Sequence, residues 1–154
     1  MGNYQTNTNQ QGDVLMFHSN EDCGEILESN GIIEMTTFYE TMAYLTLAGG
    51  NQDDDGSEAT EHLQWWGNEG EPVERQYRGR FQRHLSGSPI TSASLVDIEA
   101  DAKHDLETAF LPDYAMSVSV SASIVAPKMI QLEVGIVALN GETYPMVLKF
   151  EATA

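Results

Sequence analysis

Cysteine, basic residues and long hydrophobic segments are all scarce in this sequence, and each shortage excludes a class of protein. The single cysteine, Cys23, excludes an intrachain disulfide and a cysteine metal cluster, which fits a reducing compartment. Because Asp22 and Glu25 lie close to it and disfavour a thiolate, we interpret Cys23 as structural. No segment approaches the roughly 18 consecutive apolar residues of a transmembrane helix, and the first residues show no signal-peptide pattern.

Positive charge is especially scarce. Lysine and arginine number 7 against 24 aspartate and glutamate residues, for a formal net charge of -17. Because phosphate contacts need clustered cations, this balance argues against a general binder of nucleic acid or anionic membranes. It favours a soluble protein, or a protein whose partner carries basic patches.

Four of the seven basic residues form one cluster, which consists of Arg75, Arg78, Arg80 and Arg83. In so acidic a chain this arginine cluster has two main interpretations. It either pairs with carboxylates of the chain itself or contacts an acidic surface on a partner, with nucleic acid as a third alternative. The sequence leaves these alternatives open.

The 154 residues suffice for one domain with a substantial hydrophobic core. Residues 1–12 are polar and rich in Asn, Gln and Thr, and they lack the apolar surface needed to order themselves. We therefore predict a polar N-terminal arm over residues 1–12 and a single α+β domain over residues 13–154.

Helical spacing of apolar residues occurs in two segments. Residues 32–47 carry the first pattern and end at Gly49-Gly50, which is a good helix stop. Residues 92–110 carry the second, with Ser94 or Ser92 as the N-cap and Pro112 as the stop. The apolar positions are Met35, Phe38, Met42 and Leu45 in the first segment, and Leu95, Ile98, Ala102, Leu106 and Ala109 in the second.

Alternation with a period of two predicts three C-terminal strands, near residues 116–124, 130–138 and 144–152. Asn140-Gly141 predicts a two-residue hairpin between the last two, and Pro145 places the last strand at a sheet edge.

Near the N-terminus, Val14–Phe17 and Gly24–Glu28 predict a short β-hairpin. The expected fold class is therefore α+β. It consists of an antiparallel C-terminal β-meander covered by two main helices, with this N-terminal hairpin added.

No residues stand out as a catalytic or metal site. His18, His62, His84 and His104 lack the spacing of metal ligands, and the acidic run 53–58 lacks the glycine and glutamate positions of a calcium loop. There is also no phosphate-binding glycine loop and no nucleophile elbow. We predict no enzymatic activity, no metal and no cofactor.

Both tryptophans lie side by side, at Trp65 and Trp66, where an acidic loop ends at Gly67. Each tryptophan can bury about 200 Å² of surface, so these rings are expected to anchor the loop to the core or to a neighbouring subunit. Stacking on a sugar or a base is the alternative role.

The order of these features along the chain is itself informative. A short strand and an Asn30-Gly31 turn come first, followed by a helix that contains Glu40-Thr41-Met42. The acidic loop, Trp65-Trp66-Gly67, a second helix that ends in Asp105-Leu106-Glu107-Thr108, and Val/Ser-rich strands follow. Over residues 13–152 this order resembles the Mu-type baseplate protein family of contractile-tailed phages, whose members are counterparts of the tail sheath initiator in the baseplate wedge.

The resemblance implies a structural virion protein that is assembled in the host cytoplasm into the tail baseplate. Its implied partners are other baseplate wedge proteins, the tail hub or tube, and the tail sheath, in multiple copies within a symmetric assembly. No nucleic-acid or membrane contact is implied. The chain departs from the family near the loop, where family members often carry arginines and this chain has Gly49-Gly50-Asn51-Gln52 and Glu61-His62-Leu63-Gln64.

Three sets of residues are candidate assembly contacts. The tryptophans and the arginine cluster are two of them, and the third is the last strand, whose edge can accept a strand from a neighbour. The residues are Trp65, Trp66, Gly67, Arg75, Arg78, Arg80, Arg83, Tyr144, Met146, Leu148 and Phe150.

Two other functions are compatible with the sequence. The strong acidity fits a small regulatory or binding module, and the paired tryptophans fit a carbohydrate-binding protein.

Overall fold

The computed structural model describes residues 13–18, 24–49, 71–75, 79–86 and 89–152. Within them the chain has an α+β fold, with a three-stranded antiparallel sheet, two main helices and short N-terminal strands. This result confirms the predicted fold class. The polar arm, the acidic loop and the tryptophans lie outside the described residues.

The C-terminal meander is the largest element. Its strands are β7 (Ala115–Ala126), β8 (Met129–Ala138) and β9 (Thr143–Glu151), in the order β7-β8-β9. All three predicted strands are therefore present. In β8 and β9 alternate side chains point into the core, as the period of two requires. In β7 register shifts next to Ala115 and Ile124 interrupt the alternation, and Met116 and Ile124 of the predicted apolar set are exposed.

One of the two turns of the meander differs from the prediction. Pro127 and Lys128 join β7 to β8, and Lys128 adopts the left-handed conformation with φ 64°. Between β8 and β9 only Gly141 has a positive φ, at 85°, so the predicted two-residue hairpin is wrong. The reason is local: the Asn140 side chain accepts a hydrogen bond from the Glu142 amide at 3.0 Å, which supports a longer turn.

Two main helices cover the apolar face of the meander. They are α1 (Phe38–Ala48) and α3 (Leu95–Phe110), and a short α2 (Arg83–Ser86) lies between them in the chain. Thr37 caps α1, since its hydroxyl oxygen accepts a hydrogen bond from the Glu40 amide at 3.4 Å.

The start of α1 differs from the prediction, whereas the start of α3 agrees with one predicted N-cap. Helix α1 begins at Phe38 rather than Ile32, because residues 32–36 form strands. Helix α3 begins at Leu95, so Ser94 occupies the N-cap position that one alternative predicted, although its hydroxyl donates to the Thr91 carbonyl at 2.9 Å and makes no hydrogen bond to the helix.

Aromatic rings connect the helices to the sheet inside the core. Tyr44 of α1 stacks on Phe150 of β9 with ring centroids 5.9 Å apart, and Phe81 meets the same ring edge-on at 4.9 Å. Burial of these rings stabilises the contact of α1 with β9. The largest fully buried side chains are Phe81, Phe110, Phe150, Leu47, Ile98, Leu106, Ile130, Leu132 and Ile136.

The N-terminal strands form a separate arrangement, here named the three-way junction. Its strands are β1 (Asp13–Val14), β2 (Met16–His18), β3 (Gly24–Ile26), β4 (Glu28–Ser29), β5 (Ile32–Ile33) and β6 (Met35–Thr36). They pair as β1 with β6, β2 with β3, and β4 with β5. The predicted N-terminal hairpin is the β2–β3 pair, and it is confirmed.

Three backbone hydrogen bonds close the junction in a cycle. The Leu15 amide donates to Glu34, the Glu34 amide donates to Leu27, and the Leu27 amide donates to Leu15, each at 2.9 Å. Each of the three chain segments therefore pairs with both of the others. The Thr41 hydroxyl donates to the Val14 carbonyl at 2.8 Å, which ties the junction to α1.

Candidate assembly surface

Four aromatic side chains meet at one end of the meander and are here named the aromatic patch: Phe38, Tyr39, Tyr114 and Tyr144. Tyr39 stacks on Tyr144 with ring centroids 4.4 Å apart, and Phe38 lies 5.6 Å from Tyr114. The Tyr39 hydroxyl donates to the Tyr114 carbonyl at 3.3 Å. These contacts hold the rings in fixed positions, so the patch is shaped before any partner arrives.

Two rings of the aromatic patch, Phe38 and Tyr114, are exposed, whereas Tyr39 and Tyr144 are half-buried against the core. Tyr114 is 46% exposed, and the neighbouring Met116 is 58% exposed. Leu139 is also exposed and lies beside Ala138, which pairs with Ala115 across the sheet. Tyrosine and methionine are enriched in protein interfaces, and contiguous exposed apolar surface marks contact sites. The patch can therefore bury a partner's apolar surface.

A hydrogen bond gives the aromatic patch an acidic border. The Tyr144 hydroxyl donates to the Glu142 carboxylate at 2.7 Å. This bond lowers the pKa of Glu142 and raises the pKa of Tyr144 from their usual values. Near neutral pH the tyrosine is therefore protonated and the glutamate ionised.

The outer edge of the sheet is formed by β9. The Ala138 amide donates to Glu142, and the Ala152 amide donates to Lys128, so the even-numbered backbone groups of β9 face β8. The odd-numbered groups face outward, and Pro145 is one of them, so its missing amide hydrogen breaks no ladder bond. Strand β2 lies beside part of β9.

This geometry limits how β9 can contact a partner. The side chains of Met146, Leu148 and Phe150, predicted as assembly contacts, are buried in the core. They are not available to another chain, because the same alternation that makes them apolar turns them inward. Contact at β9 is left to its backbone and to the outward side chains Thr143, Pro145, Val147, Lys149 and Glu151.

The opposite edge of the sheet, at β7, is partly occupied by groups of the same chain. Helix α3 packs along β7, and the Glu99 carboxylate accepts a hydrogen bond from the outward-facing Ala122 amide at 2.9 Å. A side chain of the same chain thus occupies an edge donor that a neighbouring strand would otherwise use.

The outer face of the meander, opposite the helices, has low relief. Its middle row is Ser119, Gly135 and Pro145, which lie side by side across the three strands. A shallow groove of about 500 Å³ crosses this row, with Glu133 and Val147 also in its lining. Such a surface lets another backbone approach closely.

The described members of the arginine cluster have different surroundings. One Arg83 guanidinium nitrogen and Nε2 of His84 each lie 2.7 Å from the same Asp101 oxygen, so Arg83 has the internal carboxylate partner that one interpretation predicted. Arg75 is exposed and Arg80 is half-buried, while Arg78 lies outside the described residues.

Asp105, which sequence reasoning missed, anchors the segment that carries Arg80 and Arg83. Its carboxylate accepts a hydrogen bond from the Phe81 amide at 2.9 Å and another from the Arg80 amide. Burial raises its pKa above the usual value, although both hydrogen bonds oppose this shift. Gly79 fits against it closely, since an added Cβ would lie 2.6 Å from Oδ2 of Asp105.

Comparison with known proteins adds no family to these observations. No protein-family model and no curated protein matches the chain. In the described part of the chain, no group of three or more His, Cys, Asp or Glu side chains could hold a metal ion. No described helix combines the length and the apolar character needed to cross a membrane.

Proposed function

We propose that this chain is a structural component of a contractile-tail baseplate, similar to the wedge and sheath-initiator proteins, and that it acts through assembly with other proteins. The aromatic patch is the observation that carries the proposal. It places two exposed rings, supported by two half-buried ones, at one end of a well-packed body, which is the chemistry of a protein contact.

Two further features support an assembly role. The outer edge of β9 offers outward backbone groups, and a shallow groove crosses the outer face beside it at Gly135. A neighbouring chain can approach this side while another contacts the aromatic patch. The order of sequence features that resembles the Mu-type baseplate family assigns these neighbours to the wedge, the hub or tube, and the sheath.

The proposal is tested by complementation of a gene deletion. The gene is deleted from the phage genome, or from the gene cluster of the injection device, that encodes it. Lysates are then examined by negative-stain electron microscopy. We expect no sheathed tails without the gene and normal tails when the wild-type chain is supplied. Normal tails in the deletion would overturn the proposed function.

A pair of matched variants then tests the aromatic patch itself. Tyr114→Asp puts a charge into the patch, whereas Val96→Asp puts the same charge at an exposed site on α3. We expect Val96→Asp to restore tails and Tyr114→Asp to fail, with both purified proteins unfolding at the wild-type temperature. Tails restored by Tyr114→Asp would exclude the patch as a contact.

A further inference from the structure

The β4–β5 hairpin carries apolar side chains that the described chain leaves partly exposed. Every residue from 26 to 34 is exposed. The four large aliphatic residues, Ile26, Leu27, Ile32 and Ile33, are between 36% and 55% exposed. Burial of these exposed apolar side chains against a partner would add hydrophobic stabilisation that the isolated chain does not have.

The aliphatic residues are divided between the two faces of the hairpin. Glu28 pairs with Ile33, and Ser29 pairs with Ile32, and residues directly opposite each other share a face. One face therefore carries Leu27, Ile32 and Glu34, and the other carries Ile26, Ile33 and Glu28. Each face combines two aliphatic side chains with one carboxylate.

The shape of the hairpin is set before it meets a partner. Asn30 and Gly31 have φ values of 54° and 76°, the left-handed pair that a tight two-residue hairpin turn requires. At its base, the three backbone hydrogen bonds among Leu15, Leu27 and Glu34 fix the hairpin to the three-way junction. A rigid element loses little conformational entropy on binding.

Charge identifies the kind of surface that would receive this hairpin. All seven lysine and arginine residues of the chain lie at or after Arg75, so the hairpin has only acidic charges near it in the sequence. A second copy would bring together two chains of net charge -17, which is unfavourable. A different protein with Lys or Arg around an apolar slot complements both the aliphatic side chains and the acidic charge of the hairpin.

We propose that residues 26–34 form a docking arm that inserts into an apolar slot, rimmed by lysine or arginine, on another baseplate protein. Because both faces carry aliphatic residues, the slot contacts the arm from two sides. Glu28 and Glu34 meet the basic rim. This proposal rests on the assembly role proposed above and adds a second contact, distinct from the aromatic patch.

Pairwise co-expression tests the docking arm. The tagged chain is produced with each other baseplate protein of the same tail, and co-purification is measured. Ile32→Ser combined with Ile33→Ser alters both faces, and Val96→Ser is the matched control at an exposed aliphatic residue on α3. We expect one neighbour to co-purify with wild type and with Val96→Ser, and to be lost with the double variant.

The outcomes separate the arm from the wider proposal. Retention of every neighbour by the double variant, with loss on Tyr114→Asp, would overturn the arm and leave the assembly role standing. If no baseplate protein co-purifies with the wild-type chain, the assembly role fails as well. A homodimer that the double variant disrupts would overturn the choice of a different protein as partner.

Charge removal tests the basic rim separately. Glu28→Gln combined with Glu34→Gln keeps the size and the aliphatic residues of the arm. We expect weaker co-purification of the same neighbour, with a larger fractional loss at low salt than at high salt. Unchanged or stronger binding would overturn the basic rim. Unfolding temperatures equal to wild type exclude misfolding as the cause.

Discussion

The two β-rich regions of this protein use apolar residues in opposite ways. In the meander, strands of 9 to 12 residues present one continuous apolar face, and α1 and α3 cover it. In the three-way junction each strand changes partner after two or three residues, so no continuous face forms for a helix to cover. The comparison teaches that apolar alternation buried in a long strand stabilises the fold, whereas aliphatic residues left on a short hairpin are available to a partner.

The largest expected effect contrasts Phe150 with Ile33. Phe150→Ala removes a ring that is fully buried between Tyr44 and Phe81, and we expect the free energy of unfolding to fall by about 3–5 kcal/mol. Ile33→Ala removes an exposed side chain, and we expect a change within about 0.5 kcal/mol. Urea denaturation measures both, and similar losses would contradict the comparison.

A second pair of substitutions contrasts two glycines. A Cβ at Gly79 would lie 2.6 Å from Oδ2 of Asp105 and 2.9 Å from the Thr46 carbonyl oxygen, so Gly79→Ala is expected to cost about 1–3 kcal/mol. At Gly31 a Cβ meets nothing within 4 Å, and asparagine tolerates its φ of 76°. Gly31→Asn should therefore change stability by less than about 0.5 kcal/mol. If Gly79→Ala proves neutral in thermal unfolding, the close fit is wrong.

The buried Asp105 predicts a pH dependence for the body of the protein. Its pKa in the folded chain lies above the ordinary value of 3.8, so the folded state binds the proton more tightly than the unfolded state. Its contribution to stability is fully present below 3.8 and is lost as pH rises through the folded pKa. The stability advantage of wild type over Asp105→Asn should therefore shrink with rising pH in this window. If urea denaturation shows that the advantage of wild type grows with pH, the raised pKa of Asp105 is wrong.

The smallest predicted effect compares the two turns that use left-handed residues. Lys128 has a φ of 64°, which costs energy for any residue with a Cβ, and Lys128→Gly should raise the free energy of unfolding by up to about 1 kcal/mol. Asn30 has a similar φ of 54° but a side chain that tolerates it. Asn30→Gly should leave stability nearly unchanged in the same thermal-unfolding assay. An equal gain at both positions would show that side-chain type does not matter there.

The meander could be predicted from the sequence because its signal is local. A period of two over residues 116–124 and 130–138 describes a strand with one buried face, whatever the rest of the chain does. The three-way junction could not be predicted in the same way. Ile32, Met35 and Phe38 also fit helical spacing, and the pairing of residues 34–36 with Asp13–Leu15 joins segments about 20 residues apart in the sequence.

The candidate assembly surface was predictable only in part. Tyr144 belongs to a recognisable edge strand, but Phe38 and Tyr114 join it only after α1 and α3 have packed on the sheet. Asp105 did leave a signal, because it lies seven residues after the buried Ile98 and so falls near the inward side of the helix. A carboxylate at such a position indicates a structural hydrogen bond.

Hydrogen–deuterium exchange, measured on the isolated chain and on the chain within assembled tails, tests the central claim most directly. The account predicts that β8 is protected in both states, because it is the central strand of the meander. It also predicts that residues 26–34 and 111–116 exchange faster than β8 in the isolated chain and become more protected on assembly. Unchanged exchange of both segments in assembled tails would contradict it.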